Sequence, residues 1–450
     1  MNNMSRLPIY RAWLLSSMIV FAAGAVHAQT PPSAANAPET YPIDLPTALR
    51  LAHAQNLDVQ IAQKRLDEAR ANHDSSLWQF FPWIAPGVSA RRHEGRTQAV
   101  DGMLLDVDKQ SIAPGATVTA QLDLGEGIFK ALAAKQLVNA ASLGLDVQQQ
   151  DATLNAAQGY FELAKTKALA EVVREALRTS EGYAAQLHAA VAAGVVFKGD
   201  ELRVQTQSER YRTTLSQSQE QQRIAAARLA QILHLDPTIE LAPADRELVP
   251  IVLVETTGDL QALVHQALQA RPELKQNQAL IAAAREAKRG AVYGPLIPSL
   301  GVQAFLGEFG GGLGNATGDY GASRDYYVGL SWRIGPGGLF DFSRINASQA
   351  RLDAVELTAL KTSDDVARQV VEGYTRVRSL SDQIAASRQG LSAASETLRL
   401  TRERKQLGVG IVLEDIQAQQ ELVRAQADYL TAIADFNKAQ YALSKVVGSL

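Results

Sequence analysis

The chain has 450 residues and no cysteine. That single absence excludes disulfides, thiolate metal sites, cysteine nucleophiles and a lipid anchor on an N-terminal cysteine. Long hydrophobic runs are missing too. Past the N-terminus no stretch reaches 18 consecutive apolar residues, so no transmembrane helix is expected, and entry into a bilayer would have to use β-strands. Charge of one sign is not in excess: 44 Lys and Arg face 47 Asp and Glu, a net charge of −3 that gives no reason to expect nucleic acid. The seven histidines, His27, His53, His73, His93, His188, His234 and His265, form no H-x-x-x-H or H-E-x-x-H pair. Glycines cluster at 310–314 and 335–338, but neither cluster carries the GK[ST] ending of a phosphate loop. No catalytic, cofactor or metal constellation emerges, and an enzyme is not expected.

What is present begins with an export signal. Arg6 and Arg11 precede an apolar run over 12–25, and Val26-His27-Ala28 reads as a small-residue cleavage site, so residues 1–28 are expected to be removed. Residues 29–43, rich in proline and alanine, read as a linker. The body is a tandem duplication. Gly194, Asp200, Gln205 and Leu229 recur as Gly408, Glu414, Gln419 and Leu443, always 214 positions apart. The expected organisation is a first repeat over 44–235, an inter-repeat segment over 236–258 packed at the waist of the helices, and a second repeat over 259–450.

Two periodicities alternate within each repeat. In residues 407–448, Ile416, Gln420, Val423, Ala427, Leu430, Ala434, Asn437 and Tyr441 recur at steps of four and three, a coiled-coil rhythm. A second row, Leu422, Tyr429, Ile433, Phe436 and Leu443, gives that helix two flanks to bury, as in the wall of a tube. The incoming helices, over 127–193 and 339–407, would reach about 100 Å at 1.5 Å per residue. Shorter helices are predicted over 44–77 and 259–289, each ended by prolines. Strict polar/apolar dyads follow at 117–124 and 326–334, with weaker partners at 87–93 and 300–306. These fit strands with lipid on one face and water on the other, placing Val118, Leu122, Leu330 and Trp332 toward lipid and Trp78, Trp83, Tyr293 and Tyr326 at the interfaces. The connections over 94–114 and 307–324 read as long polar loops.

Four such strands cannot close a barrel, and an unpaired edge in lipid costs several kcal/mol per exposed backbone group. Two, three or four copies would supply 8, 12 or 16 strands. The duplication, the four strands, the paired long helices, the Gly194-Val195 and Gly408-Val409 turns and the runs Glu201 to Gln205 and Asp415 to Gln419 together resemble the TolC-like outer-membrane efflux family. The resemblance covers nearly all of the mature chain. It implies a mainly α fold with a transmembrane β part: a homotrimeric twelve-stranded barrel in outer-membrane lipid, continued by a periplasmic α-helical tunnel. It implies further partners, a periplasmic adaptor meeting the tip turns at Gly194, Val195, Gly408 and Val409, and an inner-membrane pump.

Family resemblance also directs attention to the acids after the tip turns, Asp200, Glu414 and Asp415, as a periplasmic gate. A second acid one turn on is replaced here by Gln417. The same acids, with Glu201, could instead cap helix N-termini. Arg402, Arg404 and Lys405 close the incoming helix and could pair with neighbouring tip acids. The expected function is passive efflux of drugs or metal ions. Type I protein secretion uses the same fold, and a periplasmic coiled-coil adaptor or scaffold would share the helices but lack the strands.

Overall fold

The computed structural model describes residues 40–245, 247–256, 258–407 and 411–450. The expected signal, the linker up to residue 39, and Gly408 and Val409 lie outside the described residues. A short strand β1 (Thr40–Ile43), inside the segment read as linker, leads to α1 (Leu45–Gln55) and α2 (Leu57–Trp78). Strands β2 (Trp83–Gln98) and β3 (Leu104–Leu122) form a hairpin, and α3 (Leu124–Ala192) and α4 (Lys198–Ile232) a helical one. After β4 (Glu240–Pro243) the order repeats with α5 (Leu260–Ala270), α6 (Pro272–Tyr293), β5 (Ser299–Leu313), β6 (Gly321–Ser331), α7 (Phe342–Gln406) and α8 (Val412–Val447).

Each helix predicted before a barrel hairpin is in fact two. Asn56 interrupts the first: its Oδ1 accepts from the N–H of Asp58 at 2.9 Å and of Val59 at 3.3 Å, while its Nδ2 donates to the Ile232 carbonyl at 3.0 Å. One side chain thus caps α2 and ties it to the end of α4. Arg271 marks the equivalent break, with Pro272 opening α6, and its guanidinium, 4% exposed, pairs with Glu273 and donates to Gln369 at 2.7 Å.

The strands are longer than their dyads suggest. Backbone pairing continues from His93↔Lys109 out to Gln98↔Leu104, and Lys109 also pairs with Leu313. Most of the two segments read as loops is therefore sheet. Those outer stretches carry polar residues on both faces, so no alternation betrays them. At the inner end the dyad overruns: Asp123 is the N-cap residue of α3, and Trp332 follows the last residue of β6, its indole N–H donating to the Leu296 carbonyl at 3.3 Å.

Strand order is β2-β3-β5-β6, all antiparallel, so the two repeats contribute adjacent hairpins and β2 and β6 are left as edges among the described residues. β1 and β4 pair in parallel beside the helices. Burial is spread along the long helices. The largest apolar cluster gathers Ile43, Tyr160, Leu163, Leu229, Leu233 and Leu241 where β1, β4, α3 and α4 meet, and smaller ones follow around Val377 and Phe436 and around Val173 and Tyr211. Buried alanines such as Ala156, Ala157, Ala225 and Ala226 let α3 and α4 approach closely over this length.

Candidate functional site: the helix tips and the barrel wall

The first tip turn follows from one glycine. Gly194 adopts φ +74°, the Gly194 N–H donates to the Val191 carbonyl at 2.9 Å, and the Val195 N–H to the Ala190 carbonyl at 3.0 Å. This closes α3 with a left-handed cap that a side-chain-bearing residue would strain. Val195 and Phe197 are then exposed at 77% and 73%. The second tip exposes Leu407, Ile411 and Leu413.

All four tip acids are ion-paired within the chain. Asp200 meets Arg203 at 3.1 Å, and Glu414 meets Arg404 at 3.4 Å across the α7–α8 turn. Asp415 lies 3.6 Å from Lys405 and 3.8 Å from Arg402. Glu201 is 1% exposed and takes contacts from Lys198 at 2.5 Å, His188 at 2.9 Å and Gln205 at 3.1 Å. The Lys198 ammonium, then His188, hold the Glu201 carboxyl below its usual range. No side chain makes a capping hydrogen bond at Phe197 or Ile411, so these acids work through ion pairs and the helix dipole. The Arg402, Arg404 and Lys405 contacts with acids are thus made inside one hairpin.

Sequence reasoning overlooked the seam between the two hairpins. The Lys405 ammonium sits 3.4 Å from the centroid of the Tyr183 ring, joining α7 to α3, and Gln420 donates to Gln207 at 2.6 Å, joining α8 to α4. A cavity of about 570 Å³ lies there, lined by Tyr183, Tyr211, Arg402, Lys405 and Asp415. Burial, with Asp415 and Asp200 adding to it, pushes the Tyr183 hydroxyl up to about 12. Burial also draws the Lys405 ammonium below its usual value, against the pull of Asp415. The signal available was Tyr183, at heptad spacing with Ser180 and Leu187, and a lysine in the last turn of α7, a pattern that does not say which helix the tyrosine meets.

At the other end, strand register sorts residues by parity. Partners Ile84↔Val118, Val118↔Ala304 and Ala304↔Tyr326 put even-numbered positions of all four strands on one face. That face is apolar near the helices, with Ile84, Val88, Val118, Leu122, Leu330 and Val328 together, and turns charged at Arg92. The odd face carries small or polar residues there, such as Gly87, Ser89, Thr117, Thr119 and Gln303.

A sequence profile of outer membrane efflux proteins matches residues 48–233 and 263–449, once in each half of the chain. The chain belongs to the outer membrane efflux protein family. Among curated relatives of this efflux family, protein CyaE of Bordetella pertussis is 29% identical over 315 residues, 66% of this chain and 65% of that protein. The outer membrane efflux protein BepC of Brucella suis is 27% identical over 165 residues, 37% of this chain. The matches span 65% and 35% of these relatives' own lengths. Solved structures share the TolC-like fold: the OprN outer-membrane channel has a TM-score of 0.74 at 20% identity over 90% of both chains. The Campylobacter jejuni CmeC channel reaches 0.77 at 14% identity, over 90% of this chain and 85% of that one. The efflux family consists of outer-membrane channels, not enzymes. Among the described residues no helix of this efflux protein is long and apolar enough to cross a membrane, and no group of three or more His, Asp or Glu could hold a metal ion.

Proposed function

We propose that three copies of this chain close a twelve-stranded outer-membrane barrel continued by a helical tunnel. In this reading the assembly is a passive exit duct for small molecules, drugs or metal ions, handed over by a periplasmic adaptor and an inner-membrane pump. The observation that carries it is the four-stranded sheet with free edges at β2 and β6, whose even face is continuously apolar near the helices, while its odd face there mixes Gly, Ser, Thr and Gln with Trp83, Phe305 and Tyr327. From Ile112 to Leu122 the even positions of β3 hold no charged residue, a stretch of 11 positions. A tilted strand needs about 9–11 residues to cross the hydrocarbon layer. Val118, Leu122 and Leu330 then face lipid, with Trp332 at the inner interface. A soluble sheet would cover that face with its own chain.

Purified mature protein in detergent is expected to have the mass of a trimer and to give discrete conductance in a planar bilayer. Deletion of the gene should raise susceptibility to drugs or metals. A monomer without conductance would overturn the duct, whereas loss of one protein from the culture supernatant, with unchanged susceptibility, would reassign the cargo to secreted protein.

The tips form the narrow end in this reading, and the exposed Val195, Phe197, Leu407 and Ile411, beside Gly194, Gly408 and Val409, suit an adaptor. Asp200, Glu414 and Asp415 set the gate through their ion pairs. Replacing Asp200 and Glu414 by amides releases Arg203 and Arg404, so single-channel conductance should rise about two- to threefold and block by multivalent cations should weaken. Unchanged conductance and block would reduce both acids to partners in helix-end ion pairs.

A further inference from the structure

Two cations on the odd face of the sheet, Arg91 and Lys109, differ from Arg92 on the even face, where the acids Glu94, Asp106 and Asp108 also lie. On the even face Arg92 is neutralised: it pairs with Glu94 and with Asp108, at 3.2 Å, and donates to Asn315 at 3.1 Å. On the odd face Arg91 and Lys109 make no ion pair among the described residues, although they sit one dyad apart on the paired strands β2 and β3, and both are exposed. His93, directly opposite Lys109, has an enclosed Nε2 without a hydrogen-bond partner among the described residues.

These three side chains line one cavity of about 600 Å³ whose floor is the glycine run of β5, Gly310 to Gly312. Glycine matters here because an ideal Cβ on Gly311 would stand 2.1 Å from the Gln110 carbonyl oxygen, so the wall is bare backbone and the volume stays open. One carboxylate, Asp319, stands at the rim. The only acid on the odd face of the strands, Asp325, pairs in register with Phe305, level with Thr117. That is six residues from Ser111, the partner of Arg91, or about 20 Å along the strand at 3.4 Å per residue. The cations therefore have one rim acid near them and no face acid.

We infer that Arg91, Lys109 and His93 form an anion-attracting collar at the outward end of the lumen, and that the duct favours anionic cargo, small molecules bearing carboxylate, sulfonate or phosphate groups. This rests on the duct reading above, which makes the odd face the lumen wall and repeats the cluster three times around the axis. Six Lys and Arg side chains against three rim carboxylates then ring the exit. Rings of Arg and Lys select anions because the low-dielectric wall focuses their field into the pore. At the opposite end every tip acid already has a cation partner, so no uncompensated acidic ring opposes the collar.

The test is the reversal potential of the purified full-length channel under a KCl gradient, for the wild type, R91Q/K109Q, and R92Q as an even-face control. The wild type and R92Q should share one chloride-to-potassium permeability ratio, and in R91Q/K109Q that ratio should fall at least about threefold. Pyrophosphate added on the outer side should block the wild type at about tenfold lower concentration than R91Q/K109Q. Normal conductance in R91Q/K109Q with unchanged ratio and unchanged pyrophosphate block overturns the collar while leaving the duct standing. An equal fall in R92Q overturns it as well, because charge at the mouth would then act regardless of face. Absence of conductance from the wild type overturns the duct and the collar together.

Discussion

Changing Gly125 to alanine is expected to cut the yield of the proposed trimer at least about tenfold. Gly125 lies in the first turn of α3, where the sheet hands over to the long helices. An ideal Cβ there would stand 2.0 Å from the Gly294 carbonyl oxygen and 2.8 Å from its carbonyl carbon. Gly294 ends α6 in the other repeat, so two backbones cross in contact at this joint. Two effects oppose each other. Alanine in a helix is favoured over glycine by about 1 kcal/mol. Overpacking costs about 1–3 kcal/mol where side chains can yield, and more where the obstacle is backbone that cannot rotate away. The clash should win. Gly127 provides the internal comparison: the atoms its Cβ would stand nearest to all belong to the Phe80 ring, at 2.7 Å, and a ring can turn. G127A should therefore lose less than about half of the trimer. Heat-modifiable trimer bands from outer-membrane extracts measure both variants, and a G125A yield at or above wild type would show that the joint slides open and helix propensity decides.

That joint illustrates what the sequence could and could not disclose. The duplication, the long helices and the alternation around Val118 and Leu330 were all legible, because each follows from a repeated pattern that burial imposes on one face of a regular element. The breaks at Asn56 and Arg271 were not read, although the second copy announces its own through Pro272, and the two sites are 215 positions apart, one more than the 214 that separates the tip turns. A break caused by a cap that reaches another helix leaves only an asparagine behind. The outer parts of the strands were hidden for a different reason. Beyond the apolar band both faces of β2 and β3 meet water, as at Arg91 and Arg92, so the period of two has no chemical contrast to write with. Of the tip, the acids and the cations Arg402, Arg404 and Lys405 could be found, but not which pairs with which, nor that Lys405 also meets Tyr183. Glu414 to Arg404 and Asp415 to Lys405 cross the turn between helices, and Lys405 over Tyr183 crosses between hairpins, distances that spacing within one helix does not encode.

Asn437 shows the same limit at a heptad position, and its replacement by leucine should release the strap that crosses α8. Residues 249–254 run beside this helix with no regular secondary structure, so their backbone groups need partners. Asn437, fully buried, accepts from the Ile251 N–H at 2.8 Å and donates to the Val249 carbonyl at 2.8 Å. One turn on, the Gln440 Oε1 accepts from the N–H groups of Leu253 at 3.1 Å and Val254 at 2.9 Å. Two helical amides thus replace the neighbouring strand that such a strap would otherwise require. N437L keeps the volume and removes both bonds, leaving a donor and an acceptor partly buried without partners. Each such loss costs about 1–3 kcal/mol. Because the strap can lift toward water, the cost should appear as local opening rather than global unfolding. Amide exchange at Ile251 is therefore expected to accelerate about 100-fold, the equivalent of roughly 2.7 kcal/mol, with a smaller rise at Val254, which Gln440 still holds. Q440L should reverse that order. Equal exchange rates at Ile251 in N437L and wild type would mean that apolar packing of Ile251 and Val254, not the buried amides, fastens the strap to the helix.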